Sequence, residues 1–300
     1  FLTMEKFLEE RAAEFDAVYI TRYTNAQKTI HLIRKFAPKA KILLNIADLH
    51  FLRELRAAIN VGDASLMNIV KRIREDELEA MVQADLVLSY NEVEHALITS
   101  HTDGKARVMT CPWVIDAPKS VPQRKTRSGM SFLGGFGHLP NAEGIKWFCK
   151  EVMPHLNDAK TDLTIYGSRM GRDIHALAGN QINTVGFIEE VAKAYDQHLI
   201  FIAPLLSGAG IKGKVLGALA HGIPCVLSPI AAEGIGLRHG HDCLIAKSPQ
   251  EWTNAIDLLT KDASLWKKIS QAGRTYVTNT FSFYAGRQKI KAAFEVVFDN

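Results

Sequence analysis

Residues 199–236, LIFIAPLLSGAGIKGKVLGALAHGIPCVLSPIAAEGIG, constrain the fold more than any other stretch of the chain. An apolar run over 199–206 fits a buried parallel strand. A turn carrying Gly208 and Gly210 follows, then a helix bearing Lys212 and Lys214, then His221-Gly222 and a second strand over 224–227. Strand, loop, helix, strand is the right-handed crossover of an α/β sheet. The glycines let backbone N–H groups approach a ligand at the helix N-terminus, and the lysines add positive charge, so the turn has the make-up of an anion site.

Two nucleotide motifs overlay this turn and neither survives inspection. Gly208 to Lys214 spell G-x-x-x-x-G-K, but Val215 stands where a magnesium-holding Ser or Thr is needed. Gly208, Gly210 and Gly213 spell G-x-G-x-x-G, yet the acidic residue at the right distance, Glu233, sits in a Gly/Ala-rich loop and not at a strand end.

The chain of 300 residues is 47% apolar and 23% charged, enough for one large or two ordinary globular domains. A net charge of +4 without a long basic block gives nucleic-acid binding little support. The sequence holds neither a run of about eighteen apolar residues nor an opening signal segment. Cys111, Cys149, Cys225 and Cys243 are far apart and read as buried reduced thiols of a cytoplasmic protein. The chain opens on Phe1, directly in a helical pattern, which points to a missing beginning.

Periodicity alternates helix and strand throughout. Helices are expected at 3–15, 25–36, 64–83 and 91–99, with strands at 17–20, 41–46, 86–89 and 106–109. Asp48, His50 and Arg53 fall in a polar segment after the second strand. A Pro- and Lys/Arg-containing region over 112–128 reads as a linker. A second series follows: strands at 130–133, 163–166 and 182–185, with helices at 141–155, near 171–178 and at 189–195, leading to the opening unit. Helices at 249–260, 263–279 and 284–297 close the chain, with Trp252, Trp266 and Phe281 as core. The fold class is thus α/β, with two doubly wound Rossmann-like domains facing a cleft: residues 1–115, incomplete at the start, a linker at 116–128, and 129–300. Ligands of such sheets collect beyond the strand C-termini, near Gly134 to His138, Gly167 to Arg169, Gly186-Phe187, Ser207 to Lys212 and Ser228 to Gly234.

Within 130–283 the segments FLGGFGHLPNAEGIKWF, LTIYG, NTVGFIEEV and IAPLLSGAGIKGKVLGALAHGIPCVLSPIAAEGI occur in the order seen in retaining family 4 of the GT-B glycosyltransferases, the group 1 transferases, which this half resembles. The first half is similar to that group's acceptor-side domain through FDAVYITR, NIADLHFLRE and ADLVLSYNEVE. The resemblance implies transfer of a sugar from a nucleotide diphosphate donor, held by 129–300, to a glycan, lipid-linked or protein acceptor, with no cofactor required. It implies donor contacts at Gly135, His138, Gly167, Phe187, Gly208, Gly210, Ile211, Lys212 and Lys214, with Lys212 first for the phosphate, and roles for Asp48, His50 and Glu233 in the chemistry. It also implies a cytoplasmic protein with the option of a peripheral place at the inner membrane.

The residues keep other readings open. The family's two glutamates, eight residues apart, fall on Ala209 and Gly217, so both carboxylates are absent. Glu233 offers a substitute near the sugar or serves as an ordinary loop residue. Asn141 caps the helix after Pro140, or His138 meets phosphate. Asp48 and His50 orient an acceptor hydroxyl or donor sugar in a retaining enzyme, or supply the base in an inverting one; alternatively Asp48 caps a helix and His50 packs. Glu92, Glu94 and His95 have no matching partners, and no metal site is expected. A sugar-nucleotide epimerase and a non-catalytic nucleotide-sugar-binding module are the alternatives to a transferase.

Overall fold

The computed structural model describes residues 3–111, 113–156 and 161–298. The chain divides into two compact units, one of Phe1–Trp113, Ala209–Ile211 and Tyr284–Asn300, the other of Val114–Gly208 and Lys212–Phe283.

The first unit is built on four parallel strands in sequence order, β1 (Ala17–Thr21), β2 (Lys41–Asn45), β3 (Leu86–Ser89) and β4 (Val108–Thr110). Its helices are α1 (Met4–Arg11), α2 (Tyr23–Phe36), α3 (His50–Val61), α4 (Met67–Gln83) and α5 (Glu92–His101). Strand alternation sends Ile42, Leu44 and Val87 to one face, where they join Ile30, Ile33, Ala80 and Met81. Leu43, Leu86 and Leu88 point to the other, against Ala293 and Val297. Those last two belong to the C-terminal helix α13 (Phe283–Phe298), so the expectation that all three closing helices belong with the second half is corrected. Ile290, Ala293, Val296 and Val297 form the apolar stripe of α13, and their spacing alone does not reveal which sheet it covers.

The second unit carries six parallel strands: β5 (Met130–Leu133), β6 (Leu163–Tyr166), β7 (Ile182–Gly186), β8 (Ile200–Ala203), β9 (Cys225–Leu227) and β10 (Leu244–Ile245). They lie in the order β10-β9-β8-β5-β6-β7. Renumbered within the unit and read from the β7 edge this is 3-2-1-4-5-6, the doubly wound order of dinucleotide-binding sheets. The connections contain α6 (Leu139–Glu151), α7 (Arg172–His175), α8 (Lys193–Asp196), α9 (Gly213–Ala220) and α10 (Pro229–Ala232), and the unit ends with α11 (Pro249–Lys261) and α12 (Ala263–Thr280). Phe132, Ile165, Ile202 and Val226 pack with Phe148, Trp252, Ile256, Trp266 and Ile269 in one core. Phe281 is also buried.

The segment expected to be a linker is anchored within the second unit. The buried Arg127 side chain donates to the carbonyls of Pro122 (3.2 Å), Tyr195 (2.5 Å), His198 (3.2 Å) and His221 (2.8 Å). The thiols of Cys111, Cys149, Cys225 and Cys243 are free; three are buried and Cys149 is partly covered. Among the described residues no helix is long and apolar enough to cross a membrane.

Candidate functional site

In the second sheet the winding reverses between β5 and β8, so consecutive crossovers depart in opposite directions and leave a crevice beyond the two strand C-termini. The loop after β5 begins at Gly134 and the loop after β8 runs from Pro204 to Lys212, so the segments singled out by sequence meet the reversal point.

Glycine is required at three positions in this region. A Cβ on Gly134 would lie 2.8 Å from Cγ of Asn141, and one on Gly167 would lie 1.7 Å from the carbonyl oxygen of Gly134. The loops after β5 and β6 are thus backbone against backbone, tied by Gly134 N–H to Tyr166 O (3.0 Å) and Phe136 N–H to Ser168 O (2.9 Å). At Gly144 a Cβ would approach the Pro204 carbonyl oxygen to 2.4 Å, so α6 also sits hard against the loop after β8.

Lys212 is buried and occupies the N-cap of α9, its carbonyl accepting from Val215 N–H at 2.8 Å. That sets its backbone at the positive end of the helix dipole, where anions are favoured. Lys214, expected beside the phosphate, meets Asn141 and Phe132. Its Nζ donates to Oδ1 of Asn141 and lies 4.6 Å from the centre of the Phe132 ring. Burial first, and then the like charge of Lys212, push this ammonium down to about 7. Asn141 in turn donates from Nδ2 to the Gly135 carbonyl at 2.8 Å. The helix N-cap is His138, so Asn141 is not the cap; it transmits the position of Lys214 to the first loop.

The rim of the crevice carries exposed groups. Phe187, directly after β7, is 71% exposed. Arg169 adopts a left-handed φ of 54°, uncommon for a residue with a side chain, and its Cδ would be 3.1 Å from a Cβ on Gly137. Arg169 closes the Gly167 to Arg169 segment expected beyond the end of β6, but its left-handed backbone was not readable from the sequence. Glu233 follows α10, beyond the end of β9, and is partly buried.

Gly217, on the buried face of α9, explains one absent carboxylate. A Cβ there would meet the Tyr195 hydroxyl at 2.7 Å, so the phenol fills the space a side chain would need. Ala209 packs against the apolar core of the first unit.

Gly210 and its neighbours cluster with the first unit. Its N–H, expected to face phosphate, donates to Oε1 of Glu94 at 2.7 Å, and a Cβ there would lie 2.8 Å from that of Asp48. Glu94, which had seemed partnerless, is buried and also accepts from Leu49 N–H at 3.3 Å. Gly208, with φ 127°, has open space where a side chain would be, and Ile211 is partly buried.

Around Asp48 the first unit holds a dense polar cluster. Ala47 has a left-handed φ of 63°, stabilised by a bond from its N–H to Oδ1 of Asn45 at 2.8 Å. The turn delivers Asp48 to Arg53 (2.5 Å) and places its other oxygen 3.9 Å from Nε2 of His50. The first N–H groups of α3 have no side-chain cap from their own neighbour Leu49. Instead the fully buried Glu77, from α4, accepts from His50 N–H and Phe51 N–H at 3.0 Å each. His50 is buried with Nδ1 3.6 Å from Glu77 and its ring 5.0 Å from that of Tyr23. Asp48 and His50 are therefore brought together, with His50 also packed as the alternative reading had it. Among the described residues no group of three or more His, Cys, Asp or Glu could hold a metal ion.

Residues 128–262 match the family described as glycosyl transferases group 1. Over 178 residues the chain is 31% identical to an uncharacterized 44.6 kDa protein in the cps region of Klebsiella pneumoniae; the match covers 56% of this chain and 44% of that protein, less than half its length. In structure it is similar to sucrose-phosphate synthase from Thermosynechococcus elongatus, at TM-score 0.81 and 16% identity over 98% of this chain and 77% of that one. It is also similar to Anabaena HepE in complex with UDP, at TM-score 0.76 and 12% identity, covering 97% and 81%. Residues 128–262 are thus similar to glycosyl transferases group 1 domains, and the chain has the GT-B fold.

Proposed function

We propose that the protein transfers a sugar from a nucleotide diphosphate donor to a glycan, lipid-linked or protein acceptor. The observation carrying this reading is the coincidence, at the reversal point of the second sheet, of glycine-only loops with a buried lysine at a helix N-terminus. Departure of the nucleotide diphosphate develops negative charge on its outer phosphate. Lys212 and the α9 dipole supply fixed positive charge there, which stabilises the transition state more than the ground state. The neighbour HepE is in complex with UDP, which supports a uridine diphosphate sugar as the first donor to try.

In this reading 129–283 is the donor side and the first unit the acceptor side. Phe187 and Gly167 line the nucleotide, Gly208 and Lys212 the diphosphate, and Glu233 the donor sugar. Asp48 and His50 orient the reacting hydroxyl, with retention of anomeric configuration. The Gly217–Tyr195 contact leaves no room for a ribose-binding carboxylate, so the ribose is held by other contacts or more weakly.

Isothermal calorimetry with UDP tests the donor site. Replacement of Lys212 by Ala is expected to weaken binding about tenfold or more, the loss of a charge-assisted contact; unchanged affinity refutes its role. Turnover separates the remaining readings. Release of UDP that depends on an acceptor supports transfer, epimerised donor without acceptor points to an epimerase, and binding with no turnover on any acceptor points to a non-catalytic module.

A further inference from the structure

The α3–α4 hairpin has an apolar tip that nothing in its own unit covers. Ile59 and Val61, at the end of α3, are 66% and 59% exposed; Met67 and Ile69, at the start of α4, are 43% and 57% exposed. Four large apolar side chains within eleven residues cost free energy in water unless a partner takes them. The two helices run antiparallel, because Glu77, ten residues into α4, accepts from the N–H groups that begin α3. Residues 62–66 are therefore the far end of a projecting hairpin.

The order of residues along α4 identifies the partner. Met67-Asn68-Ile69-Val70 comes first, then Lys71-Arg72-Ile73-Arg74, then Glu75-Asp76-Glu77-Leu78-Glu79. At 1.5 Å rise per residue the basic turn follows the apolar one by about 6 Å, and the acidic turn lies about as far again. Hydrocarbon, phosphate and bulk water follow in that same order at a membrane surface. Arg72 and Arg74 have no carboxylate within ion-pair distance among the described residues, while Lys71 has only a 4.0 Å contact with Glu75, on the side away from the tip. Asp63, the acid at the tip itself, is engaged by the N–H and hydroxyl of Ser65 at 2.9 and 2.6 Å.

We propose that this hairpin docks the protein on an anionic phospholipid bilayer, with Met67, Ile69, Ile59 and Val61 at the acyl boundary and Arg72 and Arg74 among the phosphates. Asp48 and His50 lie at the opposite end of α3, a helix of 12 residues and so about 18 Å long. A lipid-linked acceptor carrying a short glycan spans that distance from the surface. This last step rests on the transfer reading; the docking itself does not.

Co-sedimentation of the full chain with vesicles tests it. Binding to vesicles of phosphatidylcholine mixed with phosphatidylglycerol is expected to exceed binding to phosphatidylcholine alone at least tenfold and to weaken as salt is raised. The double variant Met67→Asp with Ile69→Asp is expected to abolish sedimentation, and Arg72→Glu with Arg74→Glu to reduce it roughly tenfold or more. Circular dichroism and thermal melting of both variants are expected to match the parent, since all four side chains are exposed. Equal binding by parent and variants, equal binding to both vesicle types, or no binding to either overturns the proposal. So does light scattering in which Met67→Asp with Ile69→Asp turns a dimer into a monomer, because a second copy would then be the occupant. Acceptor-dependent UDP release in free solution is read separately, so failure of docking and failure of transfer are told apart.

Discussion

Lys214 is a cation held where its charge is disfavoured, next to Lys212 and against Phe132, with its ammonium pushed down to about 7. A lysine in the unfolded chain titrates near 10.4. Between these two values the unfolded chain binds more protons than the folded one, so stability rises as pH increases from about 7 towards 10. The melting temperature of the parent is expected to climb over that window, and Lys214→Met to lose that part of the slope. At acid pH both forms of the parent are protonated and the full cost of burying the charge is present. Gly167 makes the other residue-scale prediction. With a Cβ 1.7 Å from a carbonyl oxygen, Gly167→Ala forces the β5 and β6 loops apart and is expected to cost about 2 kcal/mol or more by denaturant unfolding.

At the scale of elements, α3 depends on a carboxylate 27 residues from its first turn. Glu77→Ala leaves two buried N–H groups without an acceptor and is expected to destabilise by about 3 kcal/mol in urea unfolding. Glu77→Gln, which keeps one acceptor oxygen, is expected to cost less. The same dependence explains why α3 was not legible: no capping residue precedes it, and the donors that nucleate it are satisfied from a distant helix. Most strands of the second unit were legible because they are short, mainly apolar runs bounded by glycine or polar residues, as in 130–133 and 163–166. β10 was missed because two residues carry no periodicity. In the candidate site, the position of Lys212 at the start of a helix was readable from its place after a strand and glycines. The partner of Lys214 was not, because Asn141 lies 73 residues away in sequence. Tyr195 filling the space beside Gly217 was equally hidden, since a missing side chain in the sequence does not say what occupies its volume. Gly217→Ala is expected to lower the melting temperature, and Tyr195→Phe to restore part of the loss by removing the atom nearest the new methyl group.

The whole molecule is two sheets whose covering helices are not contiguous in sequence. The apolar face formed by Leu43, Leu86 and Leu88 is covered by α13, from the other end of the chain. Truncation before Phe283 is expected to lower the melting temperature and to expose dye-binding apolar surface, measurable by fluorescence. The coverage has a consequence in time. Roughly 170 residues separate Trp113, where the first sheet is complete, from Tyr284. At about 5–20 residues per second, a ribosome takes on the order of ten to thirty seconds to add them. For that interval the nascent first unit presents an uncovered leucine face, which stays open to water until the sixteen residues of α13 emerge to close it.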